Sequence, residues 1–423
     1  VKKVKVTLIS FNWANHFSLA NGCLKAYAEK DGVIAENADI QIVDFDAENH
    51  DVRQALYYLS RERPDIVGFS SYCWNMDKIL ELSRLLKQLD PHTKIILGGP
   101  EVGPIARKCM TENPAVDVVV MGEGEATFQE LLRSYLDHGK PMASVKGITY
   151  RQDGKILSTE QRPLMDDLGD IPSPYLTGIL TPRDRVTYLE TYRGCPYRCA
   201  FCFEGKNFPK LRFFPEERIR REIELVTGNP NISTFHVVDS VFNLKKSRLR
   251  RIAQMFHEAN RSGAGLTTVE VMAELVDEET VELLKKANVL SVETGPQTVN
   301  TDTIKNISRY YRKEKFNRGI KLLLDGGIEV LTDLIIGLPG DNFFRFLRSA
   351  KAMIRLKPTT IVFSILHVLP GTELYANADK FGLLFDEKAP HMVLQNDTFP
   401  YEEIDKAVVL AVSMEREYNL KIR

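Results

Sequence analysis

The sequence predicts two α/β domains in series: a flavodoxin-like (Rossmann-like) parallel sheet, then an open, partial (β/α)6 barrel with a short helical C-terminal tail. Three observations predict it. Val/Ile-rich runs alternate with amphipathic helical stretches from Val4 to His138. The alternation stops over Pro163 to Pro182, which is rich in Pro, Gly and Asp, and resumes at Val186. The apolar runs are continuous, as strands covered on both faces require. The expected boundaries are 1–140 for the first domain, 141–185 for a hairpin and linker, 186–400 for the barrel and 401–423 for the tail helix.

In the first domain the strands are expected at Val4–Ser10, Ile40–Phe45, Asp65–Ser71, Lys94–Gly98 and Val116–Met121. Helices are expected at Leu19–Glu29, Val52–Arg63, Met76–Leu89, Pro104–Thr111 and Ala126–His138. Five β/α units make a doubly wound sheet. Gly147 to Ser158 carries apolar residues on either side of Asp153-Gly154, a hairpin signal. In the second domain the strands are expected at Val186–Thr191, Thr234–Asp239, Thr267–Ala273, Leu290–Gly295, Val330–Gly337 and Ile361–Val368. Helices are expected at Pro215–Val226, Lys245–Arg261, Glu278–Lys286, Glu314–Asp325 and Phe343–Arg355. Six such units are too few for a closed eight-stranded barrel, and in barrels the chemistry sits in the loops after the strands. Glu402–Tyr418 has the pattern of an amphipathic helix that packs on the barrel.

Composition narrows the function classes. The 423 residues are 43% hydrophobic, enough for more than one core. Lys plus Arg number 56 and Asp plus Glu 57, so no charge excess points to nucleic acid or an anionic membrane. The basic stretches Arg218–Arg221 and Lys245–Arg251 alternate with apolar residues and read as solvated helix faces. No apolar run approaches the ~20 residues of a membrane span. The opening Val1-Lys2-Lys3-Val4-Lys5-Val6 lacks a signal peptide's apolar core, so a cytoplasmic location is expected.

Of six cysteines, Cys23, Cys73 and Cys109 are dispersed and read as plain buried thiols. The other three form Cys195-x3-Cys199-x2-Cys202, in the loop after the first barrel strand. Three close thiolates hold a [4Fe–4S] cluster with one iron left open. Zinc takes four ligands, and the next His downstream, His236, is more than thirty residues away.

With this motif the chain resembles the radical SAM superfamily, and most closely its branch with an N-terminal cobalamin-binding domain. In that family the open iron chelates S-adenosyl-L-methionine (SAM), whose reductive cleavage gives a 5′-deoxyadenosyl radical. Further segments carry the resemblance: Val237 to Asn243, with Asp239 at the strand end; Ser291 to Gln297, with Glu293 and Gly295; Ile335 to Asp341, with Gly337 and Leu338; and Leu369 to Leu374. The family commonly has a bulkier residue than Pro296. The resemblance implies that Phe201, Asp239, Glu293, Gly295, Gly337 and Leu338 touch cofactor. Glu270, on a barrel strand, needs a buried partner that a cofactor would supply. In the first domain, Ser70-Ser71, Gly98-Gly99-Pro100-Glu101 and Gly122-Glu123-Gly124 lie at strand ends, where doubly wound sheets bind ligands. Cobalamin-binding domains line the channel for the nucleotide tail there. Tight β/α turns are the plainer reading of the same residues.

The Asp-x-His-x-x-Gly motif of histidine-ligated cobalamin is absent, and His16 reads as a loop residue. Tyr72 and Trp74 lie in a loop at the same sheet edge, for a corrin face or for packing. The implied activity is methylation of an unactivated carbon through methylcobalamin, with cofactors in near-contact geometry. The alternatives are cobalamin-dependent cyclisation, ring contraction or oxidation, an RNA methylthiotransferase, and a non-enzymatic Fe–S electron carrier. The expected partners are a small-molecule or peptide substrate and a reductant such as flavodoxin or ferredoxin.

Overall fold

A computed structural model describes residues 3–137 and 140–422. The expected helix end at His138 and the outermost residues Val1, Lys2 and Arg423 lie outside the described residues. The chain divides into two compact units, Val1–Thr181 and Pro182–Arg423.

The first unit runs β1 (Val4–Asn12), α1 (Leu19–Ala28), α2 (Gly32–Asn37), β2 (Ala38–Asp46), α3 (Val52–Glu62), β3 (Ile66–Ser70), α4 (Met76–Leu89), β4 (Lys94–Gly98), α5 (Ala106–Glu112), β5 (Val118–Val120) and α6 (Glu125–Leu136). The helix starts follow from side-chain caps. Ser18 accepts from the Asn21 amide at 3.1 Å, and Asp51 with Gln54 forms a capping box. The five strands pair in parallel in the order β2-β1-β3-β4-β5, the flavodoxin order the sequence predicts. The segment expected as hairpin and linker joins this unit. β6 (Ile148–Gln152) pairs antiparallel with β5, and β7 (Lys155–Ser158) pairs with β6. Their turn holds Asp153 and Gly154 at φ 49° and 75°, the left-handed pair that tight hairpins require. Leu168, Ile171 and Tyr175 beyond it are buried.

The second unit begins with β8 (Tyr188–Leu189), β9 (Tyr192–Arg193), α7 (Glu204–Asn207), β10 (Arg212–Phe213), α8 (Glu216–Thr227), β11 (Thr234–Val237), α9 (Lys246–Ala259), β12 (Gly265–Leu266) and β13 (Val269–Glu270). It continues with α10 (Glu278–Lys286), β14 (Ser291–Glu293), α11 (Thr301–Asn306), α12 (Lys313–Asp325), β15 (Glu329–Ile336), α13 (Phe343–Leu356) and β16 (Thr360–Ile365). α14 (Glu373–Ala376), the hairpin β17 (Leu384–Phe385) and β18 (Val393–Gln395), and the tail helix α15 (Tyr401–Ile422) close it. The strands β8, β11 and β12 pair in parallel, as do β13, β14, β15 and β16. The expected third strand is broken at Thr268, whose φ is 53°, into β12 and β13. A parallel bridge from Leu266 to Val289 carries the sheet across the break. Six strand positions thus follow in chain order, as an open barrel requires.

Along β15, Val330, Thr332, Leu334 and Ile336 are buried, whereas Leu331, Asp333 and Ile335 on the other face are only half-buried. The half-buried set forms the barrel's inner face, and the helices cover the buried set. The tail helix inserts Ile404, Ala407 and Ala411 into a core with Ile336, Phe346 and Leu366. On α9, Arg250 and Arg251 lie on the surface, paired to Glu279 and Glu216, but Arg248 turns inward and is buried, so the stretch expected as a solvated face is solvated only in part. No helix among the described residues is long and apolar enough to cross a membrane.

One close contact positions the site described next. Gly319 on α12 lies against the turn at Ala273, where a Cβ would stand 2.0 Å from the Ala273 carbonyl oxygen. Backbone cannot yield as a side chain can. Gly319→Ala is expected to cost about 1–3 kcal/mol of stability, read as a lower denaturant midpoint. An unchanged midpoint would mean that α12 slides without cost.

Candidate active site

The three-cysteine loop leaves the first barrel strand through a buried anchor. Asp239, just past β11, accepts from the amides of Thr191 at 2.8 Å and Tyr192 at 3.3 Å, and from the Thr191 hydroxyl. Arg248 pairs with its other oxygen at 3.5 Å. Burial pushes the Asp239 carboxyl up to about 6 against the pull of Arg248 and these donors. Tyr192 is pinned in turn: its hydroxyl donates to the Val241 carbonyl at 2.8 Å and accepts from the Val241 amide at 2.7 Å. This gives Asp239 a structural task at the place where the resemblance implies cofactor contact. β8 ends beside β11 with amides that need an acceptor, and Asp239 supplies it.

From there the loop folds tightly on itself. Gly194 sits at φ 102°, where a Cβ would lie 2.3 Å from the Lys210 carbonyl oxygen, and a Cβ on Gly205 would lie 1.6 Å from that of Tyr197. The Cys195 amide donates to the Phe208 carbonyl at 3.0 Å. Cys195 and Cys199 are buried and Cys202 is half-buried, all three free thiols. The amide of Tyr197 donates to Cys195, and those of Glu204 and Gly205 to Cys202. Burial pushes the Cys195 thiol up to about 11 and raises that of Cys202. Such sulfurs become thiolates only beside added positive charge. Arg309 supplies some, its Nη1 donating to the Cys199 sulfur at 3.6 Å. Among the described residues no three His, Cys, Asp or Glu side chains gather as a single ion requires. The ligands of a cluster bind separate irons. The loop's buried sulfurs and inward amides therefore fit a cluster. Phe201 is half-buried and packs against the core that holds Ile307, Leu338 and Leu374.

Three carboxylates line neighbouring strands of the barrel interior. Glu270 on β13 is in register with Glu293 on β14, and Glu293 with Leu331 on β15, which puts Asp333 on the same face. Asp333 hydrogen-bonds Glu293, and burial together with the charges of Glu293 and Glu270 pushes it up to about 8. Glu270 is open to solvent within the interior, yet protein crowds it and Glu293 repels it, which pushes it up to about 7. Arg309 faces the group and donates from Nη2 to the Gly295 carbonyl at 2.7 Å. Three buried atoms nearby have no hydrogen-bond partner: Arg309 Nε, Glu274 Oε2 and Gln297 Oε1. Buried polar atoms are rarely left so, and a bound polar ligand would satisfy them.

The sequence reading missed Asp333, Arg309 and Glu274. Asp333 had a signal, a lone charge inside a strand otherwise apolar enough to be buried. Arg309 had none, because it follows a short helix the pattern did not reveal. Gly337 and Leu338 are packed against the chain itself. Leu338 is fully buried in the core. The close approach that Gly337 permits at φ 91° is taken by the chain itself: a Cβ there would lie 2.5 Å from Val393, and its carbonyl accepts from Asn396 at 2.9 Å.

In the first unit the expected residues gather partly. The Ser71 amide donates to Gly98 at 2.7 Å, and Gly99 at φ 124° passes so close that a Cβ would lie 2.4 Å from the Ser71 carbonyl oxygen. The Glu101 amide donates to that oxygen at 3.4 Å. Pro100 is half-buried in this turn. Ser70 donates to Asn21 Oδ1 at 2.8 Å, between the ends of β1 and β3, where the strand order reverses. Two buried atoms there have no hydrogen-bond partner, Asn21 Nδ2 and Ser71 Oγ. They fit a polar ligand entering at the switch point. Gly122 is open, with nothing within 4 Å of where its Cβ would stand. Glu123 is turned elsewhere, accepting from the Met165 amide at 2.9 Å, and Gly124 packs on Leu24. Tyr72 and Trp74 stack at 4.3 Å, with Trp13 edge-on at 5.2 Å. His16 turns onto its own loop, with Nδ1 2.9 Å from the Ala14 carbonyl oxygen.

Comparison with known proteins agrees with this division. Residues 15–132 match the B12 binding domain family and residues 189–353 the radical SAM superfamily. The chain is 26% identical over 361 residues to an uncharacterized methyltransferase of Pyrococcus horikoshii, covering 83% of this chain and 77% of that protein. It is 29% identical over 357 residues to the cobalamin-dependent radical SAM methyltransferase TokK of Streptomyces tokunonensis, covering 79% and 51%. It is 26% identical over 292 residues to an anaerobic magnesium-protoporphyrin IX monomethyl ester cyclase of Rubrivivax gelatinosus, covering 66% and 52%. The chain thus spans about half the length of the last two. Among solved structures, the radical SAM methyltransferase TsrM of Kitasatospora setae, with cobalamin and a [4Fe-4S] cluster bound, superposes with a TM-score of 0.77. That match covers 97% of this chain and 91% of TsrM at 19% identity, a likeness of fold.

The carboxylate group carries a pH prediction for cofactor-free protein. Unfolded, these carboxyls titrate near ~4. Folded, Glu270 and Asp333 titrate at about 7 and about 8, so the folded state holds more protons between those limits. Their contribution to stability is complete below about pH 4 and is lost as pH rises through about 8. Asp333→Asn is expected to flatten that loss, measured as the urea midpoint from about pH 5 to about pH 8.5. Equal slopes in both proteins would show that Asp333 ionises normally.

Proposed function

Because the chain belongs to the cobalamin-dependent radical SAM family, joining a B12 binding domain to a radical SAM domain, we propose that it methylates an unactivated carbon of its substrate. The cofactors of this reading are a [4Fe–4S] cluster on Cys195, Cys199 and Cys202, S-adenosyl-L-methionine, and cobalamin. When bound, they supply reductive SAM cleavage, hydrogen abstraction and a transferable methyl group.

The observation that carries the reading is the three-thiol loop at a barrel strand end, closed by Gly194 and Gly205 and faced by Arg309. Each group of this chain has a task there. The loop's amides and Arg309 hold negative charge on the sulfurs. Arg309 also ties the loop to the end of β14 through Gly295. Glu270, Glu293 and Asp333 present acceptors to the ammonium, sulfonium and ribose hydroxyls of SAM, and the protonated member of the Glu293–Asp333 pair can donate. Asn21 and Ser71 offer a donor and a hydroxyl to a polar tail at the sheet edge, where Gly98 leaves room for it. Methyl transfer rests on relatives named as methyltransferases. The cyclase relative supports the alternative of radical chemistry without it.

Two variants test the two cofactor sites. Cys199→Ala is expected to abolish 5′-deoxyadenosine formation from SAM under reducing conditions while circular dichroism stays unchanged. Product above background would remove Cys199 from the ligand set. Gly98 has only Val120 near its Cβ position, at 3.7 Å, so the sheet accepts a side chain there. Gly98→Leu is expected to lower cobalamin affinity at least ~10-fold, about 1.4 kcal/mol. Wild-type cobalt content after gel filtration would place the corrinoid elsewhere.

A further inference from the structure

The tail helix has a second face that no element among the described residues covers. Its inner face is spent on the barrel core, through Ile404, Ala407 and Ala411. Opposite to it, Tyr401, Asp405, Val409, Val412, Arg416 and Leu420 are all exposed. Their spacing of four, four, three, four and four residues keeps them within an arc of about 100°. That is the seam of a helix that pairs with another helix. Its apolar members are well exposed, Val409 at 64%, Val412 at 65% and Leu420 at 64%. Asp405 and Arg416 have no ion-pair partner among the described residues. A depression beside the stripe is lined by Val412, Glu415, Arg416, Asn419 and Leu420.

The stripe is self-complementary when it is reversed. An antiparallel copy centred between Leu410 and Ala411 sets Tyr401 against the partner's Leu420. It sets Asp405 against the partner's Arg416, and Val409 against the partner's Val412. Every apolar residue then meets an apolar one, and each charge meets its opposite. A parallel copy in register would set Asp405 on Asp405 and Arg416 on Arg416, which is unfavourable. Two-fold pairing requires a surface complementary to itself in this way. We propose that a second copy of this chain docks on the exposed face of α15, antiparallel, to form a two-fold dimer.

The test is sedimentation of the 423-residue chain from about 1 to about 100 µM, a range that reports micromolar association. The wild type is expected to pass from monomer to dimer. Asp405→Arg alone and Arg416→Asp alone each place like charges at both ends of the seam, and each is expected to weaken association at least ~10-fold. Mixed one to one, the two variants restore opposite charges at both ends and are expected to form a heterodimer of wild-type strength. Both positions are exposed, and circular dichroism checks that the variants fold. A wild type that stays monomeric throughout would overturn the proposal. So would dimerisation indifferent to the single substitutions, or a mixture that stays as weak as either variant alone.

Discussion

The second unit depends on one buried carboxylate. Asp239 ends a strand that would otherwise leave the neighbouring turn with unpaired amides. It accepts from two of them and from the Thr191 hydroxyl, and it forms an ion pair with Arg248. Removing such an acceptor would strand a buried cation and two donors, a cost of several kcal/mol. The turn it fixes carries Tyr192 and then Gly194, and the three-cysteine loop departs from there. The position of the sulfurs relative to the barrel is therefore inherited from a network that touches no sulfur. The tight closure at Gly194 and Gly205 propagates it, since neither glycine has room for a methyl group.

A closed eight-stranded barrel fills its interior with branched apolar side chains. Six strand positions leave this interior open, and its inner face carries charged side chains among apolar ones such as Leu331 and Ile335. Glu270 and Glu293 face each other across a register pair, with Asp333 beside them, although like charges in such positions destabilise a sheet. The arrangement persists because protonation relieves it, as the raised positions of Glu270 and Asp333 express. The interior is thus held in a state that a cationic or hydroxyl-bearing ligand would improve. The helices on the outside, by contrast, are ordinary amphipathic packing.

The fold was legible because its strands are continuous apolar runs and its helices carry clear periodicity. The order of the first sheet, the Asp153-Gly154 turn and the tail helix all follow from local pattern. What failed to show were features set by tertiary contact. The break at Thr268 depends on β12 and β13 pairing with different neighbours, and α11 is too short to carry periodicity. In the site, the cysteine spacing was readable because one loop holds all three thiols. Arg309 was not, because it reaches the loop from more than a hundred residues away.

Residues with a structural task of their own mark the limit of motif reading. Asp239, Glu123, Gly337 and Leu338 stand where a ligand-binding pattern puts them, yet each is satisfied by the chain itself. Asp239 accepts backbone amides, Glu123 accepts from Met165, Gly337 is covered by β18, and Leu338 is core. Ser71, of the expected set, and Asn21, Glu274 and Arg309, which no pattern singled out, each leave a buried polar atom unpaired. A folded chain cannot leave such atoms dry without cost, about 1–3 kcal/mol each. Five of the unpaired atoms gather in two places, Asn21 Nδ2 and Ser71 Oγ at the switch point of the first sheet and Glu274 Oε2, Gln297 Oε1 and Arg309 Nε beside the sulfur loop, while Arg151 and Thr332 carry others. Where such atoms gather, a bound polar ligand would complete them, and sequence position alone does not show where that is.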